Sequence, residues 1–238
     1  MAADVGGTFT DVIIVDSSGR NWVRKVPTTS PDYERGVVEA VAELLPICGE
    51  AGANIGTVSH GTTVATNTVL EHRGARTALV TTAGFRDVLE LRRVRAPQIY
   101  DLFFDKPPVL VDRRLRFEVN ERIAADGSVI QAIDENELAE LAEKLRQAEV
   151  ESIAVCLIHS YAYVDHEEQI GRFLRQALPN IPVSLSCEVL RQRREYERTA
   201  TTVVNAYIRP VMSTYLSSLM EGLRGRDIES PLLIMQSA

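Results

Sequence analysis

Apolar and polar positions alternate near the N-terminus and then switch to helical spacing, and the switches mark out the elements. Residues 12–16, Val-Ile-Ile-Val-Asp, follow a Gly-Gly-Thr turn as a short β-branched run, so they read as a strand. Residues 21–26 read as another, and the chain opens as a small antiparallel meander with its first hairpin over residues 4–16. Pro31-Asp32 start a helix in which Val37, Val38, Val41, Leu44 and Leu45 recur on one face, closed by Gly49 and Gly52. Residues 57–59 form a short strand ending in a His60-Gly61-Thr62 turn. Residues 65–70 then read as a helix that stops near Gly74, and residues 77–82 as a buried strand. Gly84-Phe85 begin a further short helix.

The texture changes between Arg95 and Ile133. Pro97, Pro107 and Pro108 break regular structure, after which residues 116–123 and 129–133 flank an Asp126-Gly127 turn. This reads as a β-hairpin region inserted on the sheet. Asp134-x-x-Glu137 has the form of a capping box opening a helix with Leu138, Leu141 and Leu145 on one face. Residues 153–158 are a continuous apolar strand, Asp165 caps a helix to Leu178, and residues 183–187 are one more strand. From Thr199 to Leu223, apolar residues fall four apart (Val203, Tyr207, Val211, Tyr215, Leu219), with a kink expected at Pro210 and an end at Gly222 and Gly225. Residues 232–235 form a last strand before Ser237-Ala238. The alternation of helices and strands predicts an α/β fold with a mixed sheet and helices on its faces.

Composition narrows the function classes. An apolar share of 45% over 238 residues suffices for a full core, in one large domain or two small ones. The net charge of −7 with interspersed signs argues against a nucleic-acid partner. Arg191, Arg193 and Arg194 cluster, but among Glu188, Glu195 and Glu197, as a solvated face does. No apolar run approaches the ~20 residues that span a bilayer, and no basic-then-apolar leader opens the chain. No membrane association is expected, and a cytoplasmic location is. The three cysteines, Cys48, Cys156 and Cys187, lie far apart without metal-ligand spacing, as free thiols do.

The candidate chemistry concentrates in Asp4-Val5-Gly6-Gly7-Thr8-Phe9-Thr10-Asp11. A Walker A loop needs Gly-Lys-Ser/Thr before a helix, and a dinucleotide fingerprint needs a third glycine opening one. Here the turn joins two strands. Gly6 and Gly7 bring backbone N–H groups close to an anion with no Cβ in the way. That arrangement suits the phosphates of ATP held by Gly6, Gly7 and the Thr8 hydroxyl, with Asp4 facing a hydrated Mg²⁺. The plainer alternative is an ordinary Gly-Gly hairpin turn. Thr10 and Asp11 start the second strand and join the candidate nucleotide contacts, although Asp11 equally suits a turn end. His60 is a candidate general acid–base, against the commoner structural histidine. Thr62 and Thr63, starting a helix, are candidates to face substrate or phosphate. Tyr196 and Arg198 are candidates for the substrate cleft, with Arg198 pairing to a carboxylate or amide oxygen; a structural ion pair is the alternative.

The first of these motifs resembles the first phosphate loop of the actin-like ATPase superfamily. More closely, the chain resembles the N-terminal region of the hydantoinase A/5-oxoprolinase family. Two further blocks carry the likeness: 60–67, His-Gly-Thr-Thr-Val-Ala-Thr-Asn, continuing through 76–87, and 194–199, Arg-Glu-Tyr-Glu-Arg-Thr, leading into Asn205-Ala206-Tyr207. The resemblance implies a mixed-sheet lobe of actin-like, ribonuclease H-like type. It places the family's N-terminal region at residues 1–188 and the start of the main hydantoinase A domain at 189–238, short of a second phosphate loop. It implies an ATP- and Mg²⁺-dependent hydrolase of cyclic amides, of N-methylhydantoinase or 5-oxoprolinase type, or a ketone carboxylase subunit. Such enzymes activate a carbonyl oxygen by phosphorylation. A small-molecule kinase, or a non-catalytic subunit of a split enzyme, are the alternatives. In the family a longer hydrophobic strand precedes the first loop, a glycine pair follows the position of Ser237, and a second Asp-x-Gly-Gly-Thr loop lies further on. The chain therefore reads as one lobe, inactive alone, completed by a C-terminal lobe or a partner subunit of hydantoinase B type.

Overall fold

The computed structural model describes residues 1–93, 103 and 107–235; Arg95, Pro97 and the Ser237-Ala238 end lie outside the described residues. The chain divides into two compact units, one made of Met1–Arg73 with the residues from Val211 on, the other of Gly74–Pro210.

The first unit opens as the meander the alternation predicts. Strand β1 (Ala2–Val5) pairs antiparallel with β2 (Phe9–Val15), and β2 with β3 (Asn21–Pro27). Helix α1 (Tyr33–Cys48) follows, ended by Gly49 in the left-handed region at φ 71°, where its N–H reaches the Leu45 carbonyl. Next, β4 (Val58–Thr62) lies parallel to β1 and runs into helix α2 (Val64–Leu70). His60, Gly61 and Thr62 are thus strand residues, not a turn: the open edge of β1 extends the ladder as far as Val5 and Thr62.

The second unit holds β5 (Thr77–Thr82), α3 (Val88–Leu91), β6 (Arg116–Val119), β7 (Arg122–Ile123), β8 (Val129–Gln131), α4 (Glu135–Gln147), β9 (Ser152–Cys156), α5 (Asp165–Ala177), β10 (Val183–Leu185), α6 (Ser186–Val189) and the first part of α7 (Glu195–Arg224). Its main sheet is all parallel, in the order β10-β9-β5-β6. Every residue of β5 and β9 is buried, which explains why both read as unbroken runs without a polar face. Leu138, Leu141, Leu145, Ile170 and Leu174 of α4 and α5 complete the core.

The remainder of α7, from Val211, and β11 (Leu232–Ile234) belong to the first unit. There β11 lies parallel to β4, and the five-stranded sheet has the order β3-β2-β1-β4-β11, three antiparallel strands continued by two parallel ones. This is the ribonuclease H-like order of an actin-like lobe. Its inner face (Ala3, Val5, Val12, Ile14, Val58) packs with Val37, Ala40, Val41 and Leu44 of α1 and with Tyr215, Leu219 and Leu223 of α7.

Several local expectations need correction. The strands form two main sheets, one per unit, with the β7–β8 pair as a separate ribbon in the second unit. Gly84 and Phe85 form a turn, with Gly84 at φ 86°, and the helix begins only at Val88. Residues 116–119 belong to the parallel sheet beside β5, so the inserted hairpin shrinks to β7 and β8 around the Asp126-Gly127 turn. The capping box is half formed: Asp134 Oδ1 accepts from Asn136 N at 2.9 Å, but Glu137 is drawn away by the Asn120 N–H and amide, each at 3.0 Å. Asp165 is the first residue of α5 and caps nothing with its side chain. Residues 186 and 187 leave the strand for α6. Gly222 does not end α7; a Cβ there would stand 2.5 Å from Val38 Cγ2, so the helix comes close to α1 at this position.

Candidate functional site

The turn between β1 and β2 is held from outside itself. Gly6 N donates to Phe9 O at 3.0 Å, and a Cβ on Gly6 would stand 3.1 Å from that oxygen. Thr28, just past β3, braces both sides of the turn. Its N–H reaches Thr8 O at 2.9 Å and its hydroxyl donates to Gly6 O at 2.9 Å. Because that hydroxyl proton is committed, the Thr10 hydroxyl must be the donor in its 3.2 Å contact with Thr28 Oγ1. Thr10 is fully buried on the inner face and acts as a brace. What remains outward are the N–H groups of Gly7 and Thr8 and the Thr8 hydroxyl, none with a hydrogen-bond acceptor among the described residues.

Asp4 lies on β1, the strand that leads into this turn. It lies opposite Asp11 on β2 and Gly61 on β4, and residues directly opposite in a ladder share a face. Asp11 is paired with Lys25 Nζ at 2.9 and 3.1 Å. Asp4 is exposed and has no ion pair or hydrogen bond among the described residues. A Cβ on Gly61 would come within 2.9 Å of Asp4 Oδ1, so the carboxylate occupies the space that a side chain at 61 would fill. Asn67 lies on the other side of the turn, its Nδ2 3.5 Å from the position of a Gly7 Cβ and 3.3 Å from Thr63 Oγ1. Neither Gly61 nor Asn67 stood out as a site residue in the sequence; both follow from pairing and packing across more than 50 residues of chain. A free carboxylate on the strand that leads into a turn with free N–H donors fits a phosphate with a hydrated Mg²⁺, a hard cation that keeps much of its water.

His60 goes elsewhere. It pairs with Ala3, one position off Asp4, and therefore projects from the opposite, inner face. It is fully buried, Nδ1 3.1 Å from the Ala3 carbonyl and Nε2 2.6 Å from the Tyr215 hydroxyl. A carbonyl only accepts, so Nδ1 carries the proton and Nε2 accepts from Tyr215. Burial lowers the His60 pKa, against smaller opposing effects of the Ala3 carbonyl and the Asp4 charge. A neutral imidazole with both nitrogens engaged inside the core suits holding β1 to α7; it does not suit proton exchange with a substrate. Thr62 Oγ1 accepts from Val64 N at 3.1 Å, and Thr63 binds Val5 O through N at 2.9 Å and Oγ1 at 3.2 Å. The two threonines tie the start of α2 to the end of β1.

Tyr196 and Arg198 belong to the second unit. Arg198 is fully buried in the first turn of α7. Its Nε reaches Ser186 Oγ at 3.2 Å, Nη1 the Gln192 carbonyl at 3.1 Å, and Nη2 both the Leu157 carbonyl at 2.7 Å and the Glu195 carboxylate. Ser186 in turn donates to Glu167 Oε2 at 2.9 Å, and Glu167 also accepts from Leu157 N at 2.9 Å and Cys187 N at 2.7 Å. Arg198 and Glu167 thus clamp the loops leaving β9 and β10, and every nitrogen of the guanidinium is engaged within the chain. That correction moves Arg198 from substrate contact to support. Tyr196 is half-buried beside Leu89, Pro108, Val109 and Leu110 around a small cavity of about 140 Å³.

Comparison with known proteins bears on this geometry. The model of the hydantoinase/oxoprolinase N-terminal region matches residues 1–178, and that of the hydantoinase/oxoprolinase domain matches residues 198–238. The chain belongs to the hydantoinase/oxoprolinase family. It is 38% identical to an uncharacterized protein of Methanocaldococcus jannaschii, over 99% of this chain and 35% of that protein. It is 34% identical to the caprolactamase subunit alpha of Pseudomonas jessenii, over 100% of this chain and 35% of that one. The crystal structure of the ATP-dependent caprolactamase from that organism superposes with a TM-score of 0.87 at 32% identity, over 99% of this chain and 35% of its own. The nucleotide-free structure of acetone carboxylase gives 0.86 at 25%, over 98% and 35%. The chain therefore spans about a third of the length of these relatives.

Within this family member, the three sequence blocks now have places. The first forms the β1–β2 turn, the second supplies β4, α2 and β5, and the third opens α7. Asp4, Gly6, Gly7, Thr8, Thr63 and Asn67 gather at one turn of the first unit, with Asp11 on the same sheet face.

Proposed function

We propose that this chain provides the first phosphate loop of an ATP-dependent enzyme that activates the carbonyl of a small cyclic amide or ketone. Residues 1–188 form its N-terminal region and residues 189–238 open the domain that follows. The reading rests on one observation above the others: two N–H groups without an acceptor, on the exposed Gly7 and Thr8, lie in the turn that follows the strand bearing Asp4, an exposed carboxylate with no partner among the described residues. In this reading Gly7 and Thr8 hold phosphate oxygens, Gly6 shapes the turn with its own N–H already on Phe9 O, Asp4 faces Mg²⁺ through water, and Asp11 keeps Lys25 beside the turn. ATP supplies the chemistry of turning a carbonyl oxygen, a poor leaving group, into a phosphate ester that leaves readily.

Thr62, Thr63, His60 and Arg198 act as positioning residues, and Tyr196 borders the substrate region of the second unit. The names of the relatives support a lactam or a ketone as substrate class, since one is an ATP-dependent caprolactamase and another an acetone carboxylase. A further lobe or a subunit of hydantoinase B type completes the nucleotide site, and the enzyme works in the cytoplasm. The test is ATP hydrolysis by the assembled enzyme with Mg²⁺, with and without caprolactam, 5-oxoproline or acetone. Stimulation by one of these, lost on Asp4→Ala, is expected. Turnover that is indifferent to every lactam and ketone would remove the substrate assignment, and turnover indifferent to Asp4→Ala would remove the loop assignment.

A further inference from the structure

A cavity of about 420 Å³ opens in the second unit among β6, α4 and the turn after β5. Five cationic side chains line it: Arg86, Arg113, Arg114, Arg116 and Lys144. Glu118 and Glu137 line it too, but both carboxylates already serve other donors. Glu118 Oε1 accepts from Gly84 N at 2.8 Å, and Glu137 Oε1 accepts from the N–H and amide of Asn120. Three of the cations are balanced nearby, Arg113 by Asp87, Arg114 by Asp112 and Arg116 by Glu90. Arg86 and Lys144 are paired more loosely, with Glu118 at 3.8 Å and Glu140 at 3.7 Å, distances that leave their N–H donors without a direct hydrogen bond to those carboxylates. At the wall, Arg116 is buried with Nε on the Val111 carbonyl at 3.0 Å and Nη2 on Glu90 at 2.8 Å. Its Nη1 has no hydrogen-bond acceptor among the described residues, with Asp87 Oδ1 3.7 Å away.

A guanidinium carries five N–H donors and an ammonium three, so the cavity offers many more donors than acceptors. We propose that this cavity binds a doubly charged anion of the phosphate class, a phosphate ester or pyrophosphate. Five cations against two carboxylates in the lining set its charge, and the buried Arg116 Nη1 is a donor without an acceptor among the described residues. Donors converging from β6, α4 and the turn after β5 set the shape, because tetrahedral phosphate oxygens meet donors from several directions and a planar carboxylate meets them in one plane. The site shares no residue with the Asp4–Thr8 turn and does not depend on the function proposed for that turn.

Titration calorimetry of the 238-residue chain with sodium pyrophosphate tests it, in EDTA and at ionic strength held constant with sodium chloride. Saturable binding is expected at millimolar pyrophosphate or below. The double variant Arg86→Gln/Lys144→Gln, at two solvent-exposed side chains, is expected to weaken it about tenfold or more with an unchanged melting temperature. If that pair unfolds, Arg86→Gln alone carries the test. Gly7→Val, which fills the β1–β2 turn, is expected to leave the affinity as it was. Malonate, with two charges on planar groups, is expected to bind about tenfold more weakly. The proposal is overturned if pyrophosphate gives no saturable heat, if removing Arg86 and Lys144 changes nothing, if Gly7→Val abolishes binding, or if malonate binds equally well.

Discussion

Asp4 and His60 sit on neighbouring pairs of the same two strands and meet opposite fates, because side chains on a strand alternate between faces. Asp4 lies in solvent over Gly61, and its loss removes no packing. Asp4→Ala is therefore expected to lower Mg²⁺-dependent turnover of the assembled enzyme by about 100-fold or more while barely changing the melting temperature. Gly61→Ala tests the same point without touching the carboxylate, since the added methyl meets Asp4 Oδ1. It is expected to reduce turnover at saturating substrate and to leave the far-UV circular dichroism unchanged. For His60 the expected signature is stability. Its pKa is lowered below the ordinary 6.5, so the unfolded chain takes up the proton first as pH falls. Stability is present above pH 6.5, declines below it, and stops declining once the folded-state pKa is passed. His60→Gln is expected to flatten that decline in thermal melts between neutral and mildly acidic pH. Tyr215→Phe leaves Nε2 buried without its donor and is expected to destabilise by about 1–3 kcal/mol, read by urea denaturation.

At the scale of elements, α7 contributes residues to the core of each unit. Val203 and Ala206 lie in the core of the second unit, and Tyr215, Leu219 and Leu223 in that of the first, with Pro210 where the two divide. Its first turn depends on Arg198, which draws the loops after β9 and β10 onto the helix. Removing a buried cation from such a network strands its acceptors, and Arg198→Ala is expected to cost about 3–5 kcal/mol. Loosening of the segment before α7 should also speed tryptic cleavage at the exposed Arg191, Arg193 and Arg194. A fall in turnover with no change in stability or cleavage would instead return Arg198 to substrate contact. Further along, Gly222 allows α7 to close on Val38 of α1. Gly222→Ala improves helix propensity yet overfills that contact, and the overpacking is expected to win, with a net loss of about 1–3 kcal/mol by chemical denaturation.

At the scale of the molecule, the number of contacts offered at the turn limits what the chain does alone. Two outward N–H groups, one hydroxyl and one carboxylate facing a hydrated metal are each worth about 1–3 kcal/mol when charge-assisted. Association itself removes about 4–15 kcal/mol of translational and rotational freedom, and ordering the triphosphate removes more, so gain and cost nearly cancel. The 238-residue chain is therefore expected to bind Mg-ATP no tighter than about 1 mM and to hydrolyse none measurably, by titration calorimetry and phosphate release. A micromolar dissociation constant would show that the turn is a complete site and not part of one.

Much of the fold was legible in the chain because its periodicities are local. The alternation of β2 and β3, the helical face of α1 and the unbroken apolar runs of β5 and β9 each state their element without reference to anything distant. The Gly-Gly-Thr turn was legible for the same reason, since Asp4 to Asp11 contain both of its strands' near ends. What local pattern does not contain is which strand lies beside which, and in what register. The parallel pairing of β1 with β4 turned an expected turn at His60-Gly61-Thr62 into strand, and a register one residue different would have exchanged the faces of His60 and Gly61. The split into two sheets and the burial of Arg198 among groups from Leu157 to Glu195 were likewise decided by contacts between distant segments. Sequence by itself determined most of the elements and the position of the turn, because these are set within a few residues; tertiary structure decided which polar residues reach solvent, because burial is a property of neighbours far along the chain.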